Sequence, residues 1–169
     1  MHGMNFAGND LAGWFLSEKL DGWRCVWTGA EFYTRQGNRY AAPDWFKAGL
    51  PAIGLDGELV TAWQTSCNRV NAAVRAGEWH RLVYRPFDCL APAGTVEAAL
   101  PILAALPALP HVRPVEWRTV ADTQAALESM RAVQSAGGEG LMLRRPGSPY
   151  QGGRSADLLK LKSVSQFRN

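Results

Sequence analysis

Lys19 stands in the run Ser17-Glu18-Lys19-Leu20-Asp21-Gly22-Trp23-Arg24, beside an acid, an Asp-Gly turn and an arginine. The run Trp14-Phe15-Leu16 before it reads as a strand, and Trp23 to Trp27 alternates like a second. This predicts Lys19 where a strand ends and a turn begins, a place where a side chain can point into a cleft. An ordinary lysine has a pKa of about 10.4 and is protonated at neutral pH. A lysine nucleophile must first lose that proton, and nearby cations or partial desolvation make this possible. Arg24 is one candidate cation, and Lys160 and Lys162 are two more if they fold close by. The bland reading of the same run is a solvated lysine on a hairpin.

Four further segments set a polar residue within or beside an apolar strand. Glu58 lies in Leu55-Asp56-Gly57-Glu58-Leu59, and Glu139 lies in the run Gly137 to Arg144. Lys160 and Lys162 lie in Leu158-Leu159-Lys160-Leu161-Lys162, and Phe87 in Tyr84-Arg85-Pro86-Phe87-Asp88. Each has a bland account alone: a turn, a helix stop, a solvated lysine. Together they meet the needs of nucleotidyl transfer. Lysine is the nucleophile. Two carboxylates can hold a hard divalent cation against phosphate oxygens. Two further lysines can neutralise the phosphate under attack. An aromatic face can stack on a purine base.

A scaffold must position these groups. The chain has 169 residues, 47% hydrophobic and 20% charged, which suggests one globular domain. Its net charge of +3 is compatible with nucleic acid without arguing for it. Three cysteines (Cys25, Cys67 and Cys89) lack metal-ligand spacing, and their odd number fits a reducing compartment. No secretory signal is read at the amino end, and the most apolar stretch, Leu100 to Pro110, is too short to span a bilayer. A cytoplasmic location away from membranes is expected.

Met1 to Gly13 reads as a polar arm or one helical turn. Strands are expected at 14–16, 23–27 and 31–35, with turns at Thr28-Gly29-Ala30 and Gln36-Gly37-Asn38. Pro43 opens a short helix through Lys47. Ile53 to Thr61 reads as a strand interrupted by Asp56-Gly57-Glu58. Residues 64–76 suit a helix, 81–90 a strongly apolar strand, 95–106 a helix and 115–120 a strand. Asp122 caps an amphipathic helix carrying Leu127, Met130 and Val133, which stops at Gly137-Gly138. Glu139 to Arg144 is a strand, 146–157 a loop, and Leu158 to Lys162 the last strand. The expected class is α+β, with mostly antiparallel β-sheets packed with helices around a nucleotide cleft.

The order and spacing of these motifs resemble the covalent nucleotidyltransferases: ATP-dependent DNA ligases, RNA ligases and mRNA capping enzymes. The chain looks most like the adenylation domain of minimal bacterial and viral ATP-dependent DNA ligases. Ser17 to Arg24 resembles their lysine motif, and Tyr33-Thr34-Arg35-Gln36-Gly37 the next. Asp56-Gly57-Glu58, Tyr84 to Asp88, Gly138-Glu139-Gly140 and Leu159 to Lys162 resemble the later ones. The likeness runs from Gly13 to Lys162, and would make residues 1–169 a single adenylation domain.

The resemblance implies a role for each residue. Lys19 would bond covalently to AMP from ATP. Glu18 would contact adenine through its backbone, and Phe87 would stack on it. Arg24 and Glu58 would engage the ribose or the nick phosphate. Glu58 and Glu139 would serve a magnesium or other divalent cation, and Lys160 and Lys162 would hold the α-phosphate. Arg35, Arg24 and Arg154 would touch DNA, with Arg144 and Arg145 as weaker candidates. The partner would be nicked double-stranded DNA, bound by a monomer. AMP would pass to the 5′-phosphate of the nick, and the 3′-hydroxyl would then displace it.

The chain stops seven residues after Lys162, where the family normally continues into an OB-fold domain. Self-adenylation and sealing are expected to be impaired without that domain, or to need it supplied in trans. Two other readings stay open: an RNA ligase or capping-type guanylyltransferase, and a non-catalytic module that binds nucleotide or nicked DNA.

Overall fold

Two sheets are built from the alternating apolar runs. The computed structural model describes residues 1–61, 67–90 and 94–162. In chain order the elements are β1 (His2–Asn5), β2 (Phe15–Glu18), β3 (Trp23–Trp27), β4 (Phe32–Thr34), α1 (Asp44–Lys47) and β5 (Leu55–Thr61). Then come α2 (Cys67–Arg75), a 3-10 turn (Trp79–Arg81), β6 (Leu82–Cys89) and α3 (Val96–Ala104). The last are β7 (Arg118–Thr119), α4 (Thr123–Ser135), β8 (Leu141–Arg144) and β9 (Arg154–Leu161). These elements divide into two compact units.

The first unit holds Met1–Leu20, Thr95–Glu97 and the chain from Glu116. Its sheet has the order β1-β9-β8-β2-β7. Leu16, Leu141, Leu143, Leu159 and Leu161 cluster in one core with Ala126 and Met130 of α4. Asp122 caps α4 by accepting the Ala125 N–H at 2.7 Å, as its residue type predicts. Ala126 and Met130 are the buried centre of the helix stripe, with Leu127 and Val133 packed at its edges.

The second unit holds Asp21–Gly94 and Ala98–Val115. Its sheet has the order β4-β3-β5-β6, with every neighbour antiparallel. Phe32, Phe46, Leu55, Leu59, Leu82 and Tyr84 are essentially sealed from solvent in its core. Each such apolar side chain contributes about 1.5–3 kcal/mol by leaving water. Phe32 sets its ring edge to face against Tyr84, with centroids 5.0 Å apart.

The α+β class with mostly antiparallel sheets is as the sequence predicts. Several boundaries differ. Met1 to Gly13 is neither arm nor helix: it contains β1, which pairs in parallel with β9. A short run with two polar ends carries no alternation signal, and its partner lies far along the chain. Asp56-Gly57-Glu58 does not break its strand, because β5 runs through it and pairs with both β3 and β6, but the pairing with β6 shifts register between Asp56 and Gly57, which is the irregularity the Asp-Gly signals. Gly57 is required there for closeness rather than for turning: a Cβ would lie 2.6 Å from the Tyr84 ring and 2.7 Å from the Arg85 carbonyl oxygen. The strand expected at 115–120 shrinks to Arg118–Thr119. The last strand begins at Arg154, inside the expected loop, and ends at Leu161. Glu139 and Lys162 therefore sit just outside β8 and β9. The helix expected over 64–76 is α2 where described, and residues 64–66 lie outside the described residues.

Candidate active site

In the first unit, β2 ends at Glu18 and delivers Lys19 to the loop before β8. The Lys19 N–H donates to the Gly140 carbonyl at 2.9 Å, extending the β2–β8 ladder by one bond. This anchors the backbone on the amino side of the Lys19 side chain. The Lys19 ammonium donates to Glu139 Oε2 at 2.5 Å. Lys162 meets the other oxygen, Glu139 Oε1. One carboxylate thus joins two lysines that are 143 positions apart by number (162 less 19). The Lys19 and Glu139 side chains are 18% and 26% exposed, so solvent screens their pair only in part.

Burial alone would raise the Glu139 pKa. Hydrogen bonds from Lys162 and Lys19, with their charges, outweigh it and hold the carboxyl below its ordinary value. Lys160 lies in β9 opposite Met142 of β8. Burial, then the charges of Lys162, Lys19 and Arg154, push its pKa down. The unit therefore brings Lys19, Glu139, Lys160 and Lys162 together, as expected. Glu18 is exposed at the end of β2, paired with Leu141. Arg154 is exposed at the start of β9, opposite His2. Arg144 is buried, with Nε donating to the Ser148 hydroxyl at 2.8 Å, while Arg145 pairs with Asp157 at 3.0 Å.

In the second unit, Arg24 of β3 lies opposite Glu58 of β5. Its guanidinium binds both oxygens of Asp56, which is fully buried. The guanidinium carbon also lies 4.8 Å from the centroid of the Phe87 ring, in cation–π range. Glu58 Oε1 accepts the Gly22 N–H at 2.8 Å, fixing the Asp-Gly turn to β5. This unit brings Arg24, Asp56, Glu58 and Phe87 together. Arg35 is exposed in the turn after β4.

Two functional candidates escape the sequence reading. Asp56 falls in an expected turn, yet it anchors Arg24. A signal exists: on neighbouring antiparallel strands, diagonal residues reach each other, and Arg24 faces Glu58 while Val26 faces Asp56. Gln134, near the end of α4, donates its side-chain amide to the Lys162 carbonyl. No local pattern marks it.

Among the described residues, no group of three or more His, Cys, Asp and Glu side chains could hold a metal by itself. Magnesium is commonly held by one or two carboxylates together with substrate phosphates. Glu139, in the first unit, and Glu58, in the second, each present a carboxylate, the hard-oxygen donor type such an ion takes. No helix among the described residues is long and apolar enough to cross a membrane.

No protein-family model matches the chain. A DNA ligase of Haemophilus influenzae is 31% identical over 159 residues, covering 91% of this chain and 59% of the relative. The chain thus spans 59% of that curated relative's length. A probable DNA ligase of Mycobacterium avium is 47% identical over 64 residues, covering 37% of this chain and 12% of the relative. A solved structure from a structure–function study of DNA binding by minimal-scaffold Lig E DNA ligases aligns with a TM-score of 0.83. It is 30% identical, and the alignment covers 96% of this chain and 69% of that one. Chlorella virus DNA ligase-adenylate shares the fold, with a TM-score of 0.74 at 22% identity over 89% of this chain and 61% of that one. A lysine clustered with an acid and two further lysines, in a chain that matches ligases along nearly its whole length, leads to one conclusion: this chain belongs to the DNA ligase family and has the fold of its adenylation domain.

Proposed function

We propose that this chain transfers adenylate from ATP through Lys19 to the 5′-phosphate of nicked double-stranded DNA, for sealing of the strand. The observation that carries the reading is Glu139, which engages Lys19 on one oxygen and Lys162 on the other. In the first step the Lys19 amine gives up a proton and attacks the α-phosphorus of ATP. A P–N bond forms, the bond to the bridging oxygen breaks, and pyrophosphate leaves. AMP then passes to the DNA 5′-phosphate, and the 3′-hydroxyl displaces it. Such chemistry rests mainly on positioning and on neutralising charge.

The chain's residues divide that work. Lys160 and Lys162 hold the α-phosphate. Phe87, half-buried in β6, offers a ring to adenine, a contact worth about 1–3 kcal/mol. Glu18 reads the base through its backbone, while Arg24 and Glu58 engage ribose or the nick phosphate. Glu58 and Glu139 would hold magnesium or another divalent cation, which when bound supplies positive charge to the phosphates. Arg35, Arg24 and Arg154 contact the DNA backbone, positioning it without reading sequence. The protein acts as a monomer in the cytoplasm, and its free cysteines suit a reducing compartment.

Intact-mass spectrometry tests this. After incubation with ATP and magnesium, the chain should gain one AMP, with no adduct from GTP and none on Lys19→Ala. An untreated sample controls for AMP already bound. An adduct retained in Lys19→Ala would overturn the nucleophile. If no adduct forms, pre-adenylated nicked DNA tests the last step alone. Failure there too would leave a nucleotide- or nick-binding module.

A further inference from the structure

The end of α4 is built against the two segments that carry Glu139 and Lys162. The helix closes where the Gly137 N–H donates to the Gln134 carbonyl at 2.9 Å and the Gly138 N–H to the Val133 carbonyl at 2.9 Å. Two residues on, Gly140 has φ +146°. A Cβ there would fall 2.3 Å from the Leu161 carbonyl oxygen and 3.0 Å from the Lys162 Cα. The backbone next to Glu139 thus lies directly against the backbone of Leu161 and Lys162, and only glycine allows it. Strand β9 ends at Leu161, whose partner across the ladder is Leu141. Lys162 is the first residue past the ladder. Its carbonyl is instead capped by the Gln134 side-chain amide.

We infer that Gln134 is a positioning residue for Lys162: by capping its carbonyl, it fixes the backbone from which the Lys162 ammonium reaches Glu139. Strand ends fray when no bond holds them. Without the cap, Lys162 leaves Glu139 more often, and Lys19 keeps that carboxylate alone. The geometric part of the inference stands on the hydrogen bond and the ion pair. Its catalytic consequence rests on the adenylation reading proposed above. Gln134 acts through Lys162, whose carbonyl its side-chain amide caps.

The test uses the whole chain and two variants. Gln134→Met keeps length and helix preference but removes the donor. Gln134→Arg keeps a donor suited to the end of a helix. Limiting acetic anhydride acetylates free amines in competition, and peptide mass spectrometry reads each lysine. An ammonium held by a carboxylate reacts slowly. Acetylation of Lys162, referred to Lys47, should rise several-fold in Gln134→Met and return to the original level in Gln134→Arg. Equal acetylation of Lys162 in all three proteins would overturn the inference. Thermal melting confirms that the variants fold.

The catalytic arm is a mutant cycle. Gln134→Met should slow formation of the AMP adduct several-fold, yet cause no further loss in a Lys162→Ala background. The same loss in both backgrounds would mean a general effect on the fold and would overturn the positioning role. A parent chain that forms no adduct would count against the adenylation reading, while the acetylation result would still decide the placement of Lys162.

Discussion

Arg24 donates from Nε and Nη2 to the two oxygens of Asp56, a carboxylate with no exposure to solvent. The same guanidinium covers the Phe87 ring. A buried acid therefore governs a cation and, through it, an aromatic surface.

Asp56→Asn keeps the shape of the acid and removes its charge. Breaking a buried pair costs about 3–5 kcal/mol. The Arg24 side chain is 22% exposed, so water compensates part of the loss and the lower end, about 3 kcal/mol, is expected. Urea unfolding followed by circular dichroism measures it. An unchanged midpoint would show that the pair adds nothing to stability.

Glu97 gives a dependence on pH. Its carboxylate accepts the Gly147 N–H at 2.8 Å. Glu97 is exposed, yet desolvation by its neighbours opposes ionisation. Hydrogen bonds from its own N–H, from Gly147 and from Thr95, with the charge of Arg144, outweigh it and lower the pKa. A carboxyl whose folded pKa is depressed stabilises the fold above its unfolded pKa, and loses that effect as pH falls through the folded value. Melting of the parent and of Glu97→Gln should therefore differ at neutral pH and converge below the ordinary carboxylate range. A constant gap across that range would remove Glu97 from the acid response.

Much of the site is legible before the fold, because its signals are local. Trp23 to Trp27 alternates over a full strand, and Asp-Gly marks the turn, so Lys19 lies one residue past β2 as expected. Asp122 caps its helix for the same reason. What escapes depends on distant partners. β1 is held by β9 and shows no period of its own. Asp-Gly at 56–57 resembles a turn, and the register shift against β6 together with the close approach of Tyr84, Arg85 and Pro86 explains a glycine inside a strand. The Arg24–Asp56 pair needs the register of β3 on β5. The Gln134 cap needs the end of β9 to lie beside α4.

Arg35 and Arg154 are both exposed, and they test DNA binding directly. Replacing either with alanine should weaken binding of nicked duplex about equally for every sequence. It should also reduce the slope of log K against log salt by roughly 1 for each phosphate left without its cation. Fluorescence anisotropy over a potassium chloride series reads both effects. A slope that stays constant would exclude that arginine from pairing with a phosphate.

The parallel strand β1 has a practical meaning for anyone handling this protein. His2 to Asn5 pair along β9, the strand that carries Lys160, and Asn5 lies opposite Lys160 itself. Residues 2–5 are therefore not spare chain that can be trimmed. Cutting away five residues would leave β9 as a bare rim of its sheet, open to unwanted pairing with other chains. Constraints on how the chain can be cloned thus begin at its second residue.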